Sequence, residues 1–382
     1  MYHRSINAVH VEATDRCNAQ CPVCIRSYQG GPVRSYVKDS ELGLKHFTEY
    51  LGDEFISNIV SWNFCGNKGD PSSALELVEI FEYILKCNPE TKIDMRTNGG
   101  ARSKNFWASI GKLFEGTHCR VIFAVDGLED TNHIYRKNVK WKNLWRNMKA
   151  YFENGGHGLG QWDFLKFKHN EHQIEELQYL AKKFNIPLNV KEPYGFTVGE
   201  QGLPTTIPVY DRNLTKADGI SSTNDKYKLL YTIKPATDEY EDAVYPDMAP
   251  KDIIESRVFY DYNNKRLFEY SNVDIDCIAN QPENDHAEIF LDCDGSVYPC
   301  CFIGSRINIG EKQLEMMVGD SNIVLSKENT IHNILDSKYF QKTMPDGMNG
   351  NFTGDLTLDN KTNHCITCVD CCGMKMELSH RR

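Results

Sequence analysis

Three cysteines fall within eight residues, Cys17-Asn18-Ala19-Gln20-Cys21-Pro22-Val23-Cys24, directly after a strand-like run at 5–13. A structural zinc ion takes four ligands, usually as two separated pairs. A cubane of four irons and four sulfides takes one ligand per iron, so three thiolates leave one iron open. An open iron can bind a small chelating molecule and pass it an electron. Eight more cysteines follow residue 276: Cys277, Cys293, Cys300, Cys301, Cys365, Cys368, Cys371 and Cys372. Two groups about 250 residues apart suggest two metal sites in two domains. Cys65, Cys87 and Cys119 lie between them, and a small buried hydrophobe is the simpler reading of these three.

The chain that must position these thiols has 382 residues, with 43 Lys+Arg against 53 Asp+Glu for a formal net charge of −10. At 40% hydrophobic and 25% charged residues it has the composition of a globular protein. Its length predicts two to three domains with cores of their own. No run of about 18 apolar residues is present to span a membrane. The first residues lack the apolar stretch of a signal peptide. A cytoplasmic location is therefore expected, where 14 Cys stay reduced rather than forming disulfides. The acidic balance argues against a protein that coats nucleic acid, while a local basic groove remains compatible.

Strand-like and helix-like segments alternate after the first cysteine group. Helix is expected at 42–55, 73–87, 103–115, 140–154 and 171–184, from apolar spacing. Strand is expected at 5–13, 56–64, 92–96, 119–125, 164–168 and 188–190. Such alternation implies βα units around a parallel sheet, either a three-quarter barrel or a doubly wound open sheet. In both, ligands gather at the C-terminal strand ends. The cysteine loop, the Gly66 loop, Asn98-Gly99 and Asp126-Gly127 all fall at such ends. The pattern changes near 196. Residues 197–275 hold eight of the chain's 19 Tyr, which argues against disorder, and Ser256–Tyr270 reads as a β-hairpin around Asn263-Asn264. A second hairpin is expected from Ala287–Leu291 and Val297–Cys300, turning at Asp294-Gly295, followed by a helix at 331–343. The expected division is 1–196, 197–275 as a connecting segment, and 276–382.

Cx3Cx2C immediately after the first strand of a βα array resembles the signature of the radical S-adenosylmethionine superfamily. The resemblance implies an α/β fold, a partial (β/α)6 TIM-type barrel with a small C-terminal α+β domain for an auxiliary cluster. It implies a 4Fe-4S cluster on Cys17, Cys21 and Cys24 whose open iron is chelated by S-adenosylmethionine. It further implies reductive cleavage to a 5′-deoxyadenosyl radical that abstracts hydrogen from the substrate. Many members carry an aromatic before the third Cys, where this chain has Val23. Gly66-Asn67-Lys68-Gly69-Asp70-Pro71 loosely matches the family's Gly-Gly-Glu loop at the amino end of S-adenosylmethionine, with Asp70 in place of Glu. Thr97-Asn98-Gly99 and Ala124-Val125-Asp126-Gly127 stand at the ends of strands three and four, the latter with Ala124 where a Ser is usual. Arg136 matches a recurrent Arg that can pair with the methionyl carboxylate. Asn170, with Lys166 and Lys168, surrounds strand five, where the family contacts ribose. The implied cofactor residues are thus Gly66, Asn67, Gly69, Asp70, Asn98, Asp126, Arg136 and Asn170. A turn or surface role is the competing reading for each, and Lys166 and Lys168 fit surface or substrate contacts better.

Cys277, the Gly295-x4-Cys300 hairpin and Cys365-x2-Cys368 resemble the auxiliary-cluster domain called SPASM, or its shorter twitch form. That likeness implies a second 4Fe-4S cluster held by Cys277, Cys300, Cys365 and Cys368, against a zinc knuckle on the same four. Cys293, Cys301, Cys371 or Cys372 could replace one of them. The expected enzyme is a radical oxidoreductase or modifying enzyme acting on a peptide or protein side chain. The alternative is a small-molecule dehydrogenase, of a sugar alcohol or similar metabolite, and the remote one a zinc or iron-sulfur scaffold without radical chemistry. An external one-electron reductant of flavodoxin or ferredoxin type is implied, with no membrane or nucleic-acid partner. Carboxylates such as Asp261 and Glu269 are candidate bases that no spacing singles out.

Overall fold

The computed structural model describes residues 6–193, 206–211, 229–236, 273–275, 277, 280–281, 286–308, 310, 312–351, 365, 367–368 and 372–375. The chain divides into two compact units: 11–44 with 61–242, and 1–10 with 45–60 and 243–382.

The larger unit is built on a parallel sheet. Its strands are β2 (Ser61–Cys65), β3 (Lys92–Thr97), β4 (Arg120–Ala124), β5 (Gly160–Leu165) and β6 (Leu188–Lys191), side by side in the order β2-β3-β4-β5-β6; β1 (Ala8–Val11) precedes them in the chain. The registers from β2 to β6 are all parallel, for example Cys65↔Arg96, Arg96↔Ile122, Ala124↔Asp163 and Asp163↔Asn189. Right-handed βαβ crossovers keep such strands in sequential order. The sheet stays open as a partial (β/α)6 TIM-type barrel.

Alternation along the strands separates two faces. Trp62, Phe64, Met95, Phe123, Trp162 and Phe164 are fully buried on the face covered by α2 (Leu77–Cys87), α3 (Lys104–Phe114) and α5 (Trp141–Tyr151). Edge-to-face and tilted contacts join them to the helices, with ring centroids 4.8 Å apart for Phe64–Phe81 and 5.4 Å for Trp107–Phe123. Each such ring removed from water contributes about 1.5–3 kcal/mol. The other face carries Asn63, Cys65, Asp94, Arg96, Arg120, Gln161, Asp163, Asn189 and Lys191, all half-buried. A closed barrel would fill that space with branched aliphatics; here it is polar.

Two expected boundaries move. Ile56 belongs to a helix, α1 (Gly52–Ser57), whose buried side is Phe55 and Ile56, so β2 starts only at Ser61. Strand five runs Gly160–Leu165 rather than 164–168, because pairing to β4 begins at Val121↔Gly160. Its polar alternates, Gln161 and Asp163, disguised it as loop. Within 197–275, β7 (Ile207–Tyr210) and β8 (Leu229–Ile233) pair antiparallel; the hairpin expected at 256–270 lies outside the described residues.

In the smaller unit, β9 (His286–Leu291) pairs antiparallel with β10 (Val297–Tyr298) around Asp294-Gly295, as expected. Helix follows at Cys301–Asn308, Lys312–Val318 and Ile331–Leu335, and again at Tyr339–Thr343 and Met344–Met348 in place of one helix over 331–343. Among the described residues no helix is long and apolar enough to cross a membrane.

His169 carries a stability prediction. Its ring stacks on Phe167 at 5.2 Å, and its buried Nε2 has no hydrogen-bond partner. Burial, with His133 and His172 nearby, lowers its pKa to about 4. The unfolded chain takes up the proton near pH 6.5 and the folded chain only near 4, so stability falls as pH drops through that window. The loss of melting temperature between pH 7 and pH 5 is expected to shrink in His169→Phe.

Candidate functional site

The three N-terminal thiols sit on one loop at the C-terminal edge of the parallel sheet's unit. Cys21 is buried, and Cys17 and Cys24 are half-buried. Burial pushes all three thiols up, Cys24 to about 11, and Cys21 adds to the rise of both Cys17 and Cys24. Such a set is deprotonated together only where cationic charge joins it. Donors already point at the sulfurs. Ala19 N–H lies 3.3 Å from Cys17 Sγ, Asn98 Nδ2 3.6 Å from the same atom, and Arg136 Nη1 3.6 Å from Cys21 Sγ. Asn67, whose carbonyl accepts from Cys24 Sγ at 3.9 Å, has a buried Nδ2 without a partner. Thiols ringed by N–H donors, with an unmet amide beside them, fit an iron-sulfur cluster and a polar ligand on it. Among the described residues no three His, Cys, Asp or Glu form a single-ion site.

The loop after β2 is held by a residue that motif reading passed over. Glu12, fully buried, accepts the backbone N–H groups of Asn67 at 2.6 Å, Lys68 at 3.0 Å and Gly69 at 2.9 Å. Its partners lie 55 to 57 residues away in sequence, which is why spacing gave no hint. A charged residue just beyond an otherwise apolar strand was the available signal. With three N–H groups committed to Glu12, the loop's carbonyls are the groups that can face an amino donor. Both glycines are sterically required: a Cβ on Gly66 would meet Gly69 O at 1.9 Å, and one on Gly69 would meet Thr14 O at 1.8 Å. Neither contact can relax without moving backbone, so Gly69→Ala is expected to cost about 1–3 kcal/mol or more. A shifted denaturant midpoint at unchanged slope checks this.

Asp70 is buried, and protein donors occupy both its oxygens. Oδ1 accepts from Ser72 N at 3.0 Å, Ser72 Oγ at 2.6 Å and Thr97 Oγ1 at 2.8 Å; Oδ2 accepts from Asn98 N at 2.8 Å and Nδ2 at 2.6 Å. Its geometry positions Asn98, which in turn reaches Cys17 and, at 3.1 Å, Asn18 Oδ1.

Asp126 lies two residues beyond β4 and carries no exposed surface. Oδ2 accepts from Arg136 Nε at 2.5 Å, and Oδ1 from Leu165 N at 2.7 Å. Burial pushes its carboxyl above the usual range against the pull of Arg136. Arg136 therefore bridges Asp126 to Cys21. Asn170 is fully buried and bonds inward, from Nδ2 to Asp126 O and Leu165 O and through Oδ1 to Phe167 N. That is a turn-holding geometry. Lys166 faces Glu192 at 3.7 Å and Lys168 faces Glu171 at 2.9 Å.

In the smaller unit, a hydrogen bond with Cys365 and then burial raise the Cys368 thiol, with Cys300 and Cys277 also contributing. Burial raises Cys300, with Cys301 and Cys277 adding to it. The four cysteines expected to act together are thus electrostatic neighbours. Cys293 is buried, Cys301 and Cys372 half-buried, and Cys371 lies outside the described residues. Of the middle three, Cys119 is a buried core residue. Cys65 instead lies on the polar face, where burial raises it to about 11.

No family model matches the chain. The GTP 3′,8-cyclase of Desulforamulus reducens is 26% identical over 200 residues, 52% of this chain and 58% of the cyclase. The chain thus spans under two thirds of that relative. Streptococcus suis SuiB superposes with a TM-score of 0.50 at 13% identity, covering 88% of this chain and 67% of SuiB. A structure of anSMEcpe with bound AdoMet gives 0.46 at 13% identity, covering 89% and 80%. The Cx3Cx2C loop thus stands beside an open parallel sheet whose fold is similar to that of SuiB.

Proposed function

We propose that this chain cleaves S-adenosylmethionine reductively and abstracts hydrogen from its substrate. The observation that carries the reading is the Cys17, Cys21 and Cys24 loop with N–H donors from Ala19, Asn98 and Arg136 turned onto its sulfurs. When bound there, a 4Fe-4S cluster supplies the electron that releases a 5′-deoxyadenosyl radical from S-adenosylmethionine. The protein's part is to hold charge and exclude water. Arg136, steadied by Asp126, offers a cation beside Cys21 for the methionyl carboxylate. The carbonyls of 66–69, held by Glu12, offer acceptors for its amino group, and Asp70 fixes Asn98 against Cys17. A second 4Fe-4S cluster on Cys277, Cys300, Cys365 and Cys368 is part of the same reading.

The substrate reading that follows from the second cysteine group is a peptide or protein side chain. The polar face of the sheet supports a polar substrate. Asp163 there holds Lys191 at 2.7 Å and Arg96 at 3.3 Å, two cations on one carboxylate. A small-molecule substrate is the second reading, favoured by the GTP 3′,8-cyclase relative. The test is anaerobic: reconstituted, reduced protein is incubated with S-adenosylmethionine, and 5′-deoxyadenosine is measured by chromatography. Its formation is expected, and intact S-adenosylmethionine contradicts the proposal. Iron counting separates the auxiliary readings, near eight irons for two cubanes and near four with one zinc for a knuckle.

A further inference from the structure

The outer surface of the larger unit carries a basic groove that the proposed chemistry does not use. It encloses about 830 Å³ between α3 and α5. Lys104, Lys112, Lys142, Arg146 and Lys149 line it against two acids, Glu129 and Glu153. All five cations are exposed. No ion pair engages any of them among the described residues. By contrast, Arg120 is matched by Asp94 at 2.7 Å and Lys191 by Asp163. A local surplus of positive charge in a chain of net charge −10 is unexplained by folding.

The groove also has a direction. A second cavity of about 720 Å³ shares Glu129, Trp141 and Lys142 with the first and is lined also by Asn18. Asn18 Oδ1 accepts from Asn98 Nδ2, which also reaches Cys17 Sγ. One amide therefore separates this surface from a cluster thiol. On the groove's wall Trp141 and Trp145 stack with centroids 5.6 Å apart and planes 10° from parallel. They give a flat aromatic platform among the lysines.

We propose that this surface docks a small acidic protein of the flavodoxin type that delivers one electron. The carrier is oxidised by one electron, and the iron-sulfur group at Cys17, Cys21 and Cys24 is reduced by one. Electron-transfer encounters use small interfaces and are steered by complementary charge. A basic patch whose adjoining cavity is lined by Asn18 of the cysteine loop meets both needs, and the platform suits the apolar edge of a flavin. Single-stranded nucleic acid would also match basic and aromatic residues. The continuation to Asn18 favours the electron carrier, since a nucleic-acid site has no reason to end beside a cluster thiol. The proposal rests on the reading that Cys17, Cys21 and Cys24 hold a reducible cluster.

The test uses the reconstituted full chain and the surface variant Lys142→Glu, Arg146→Glu, Lys149→Glu. Binding of flavodoxin is measured by calorimetry at low salt, and 5′-deoxyadenosine formation is driven either by reduced flavodoxin or by dithionite. Expected is binding weakened at least about tenfold, with the flavodoxin-driven rate falling in step and the dithionite-driven rate unchanged within about twofold. Added salt should weaken the wild type and leave the variant nearly unaffected. Equal flavodoxin affinity in both proteins overturns the proposal. So does a single-stranded RNA oligomer whose binding the variant loses while flavodoxin binding persists. If wild type makes no product even with dithionite, the radical reading fails, and the binding comparison still decides the docking surface.

Discussion

Asp126→Ala should cost about 3–5 kcal/mol of folding free energy, because it leaves Arg136 as an uncompensated buried charge. Asp126 is wholly buried, and Arg136 retains 18% side-chain exposure, so water can relieve little of the loss. The same substitution orphans Leu165 N–H at the end of β5, a further penalty of about 1–3 kcal/mol. The two terms share one side chain and do not simply add. Against a typical total of about 5–15 kcal/mol, such a variant would sit at the edge of folding. Asp126→Asn is the informative partner. It keeps an acceptor for Leu165 and loses only the charge, so its unfolding midpoint should fall between wild type and Asp126→Ala. Equal midpoints for wild type and Asp126→Ala would mean that Arg136 finds solvent or another anion.

Cys17→Ala carries the largest expected effect on activity. An iron-sulfur cubane with two protein thiolates loses a ligand that no neighbour on the loop can replace, since Asn98 and Ala19 offer only N–H donors to that position. At least about a thousandfold less 5′-deoxyadenosine per chain is expected, a barrier change of about 4 kcal/mol. The fold should survive, because Cys17 is half-buried on a loop and lies outside the buried core. Near-ultraviolet dichroism like wild type, with product lost, separates a missing ligand from a misfolded chain. Cys119→Ala is the control: it removes a buried core thiol and should leave product formation intact.

Much of the larger unit was legible because its signals are local. Apolar spacing marked α2, α3 and α5, and the strands between them delivered their motifs to one edge. The hairpin at Asp294-Gly295 was legible for the same reason: its turn chemistry sits between two apolar runs. Long-range polar pairing was not. Glu12 and the 66–69 loop, Asp70 with Asn98, and Asp126 with Leu165 each join residues that only the folded sheet brings together. Asp70 and Asn170 matched motifs as residue types, yet their side chains are spent on protein donors and acceptors, which composition alone does not reveal. β5 was misplaced because a strand facing a polar interior lacks the hydrophobic run that usually marks a parallel strand. Cys65 was read as core for a similar reason, since neighbouring Asn63 and Arg96 show their common face only through the β2–β3 register.

The central claim is that Cys17, Cys21 and Cys24 hold a cluster with one iron open to S-adenosylmethionine. Electron paramagnetic resonance of the anaerobically reduced protein, recorded with and without S-adenosylmethionine, tests it most directly. A reduced 4Fe-4S signal is expected whose shape changes on adding S-adenosylmethionine, with loss of that responsive component in Cys17→Ala. A spectrum indifferent to S-adenosylmethionine, or a response that persists in Cys17→Ala, would contradict it.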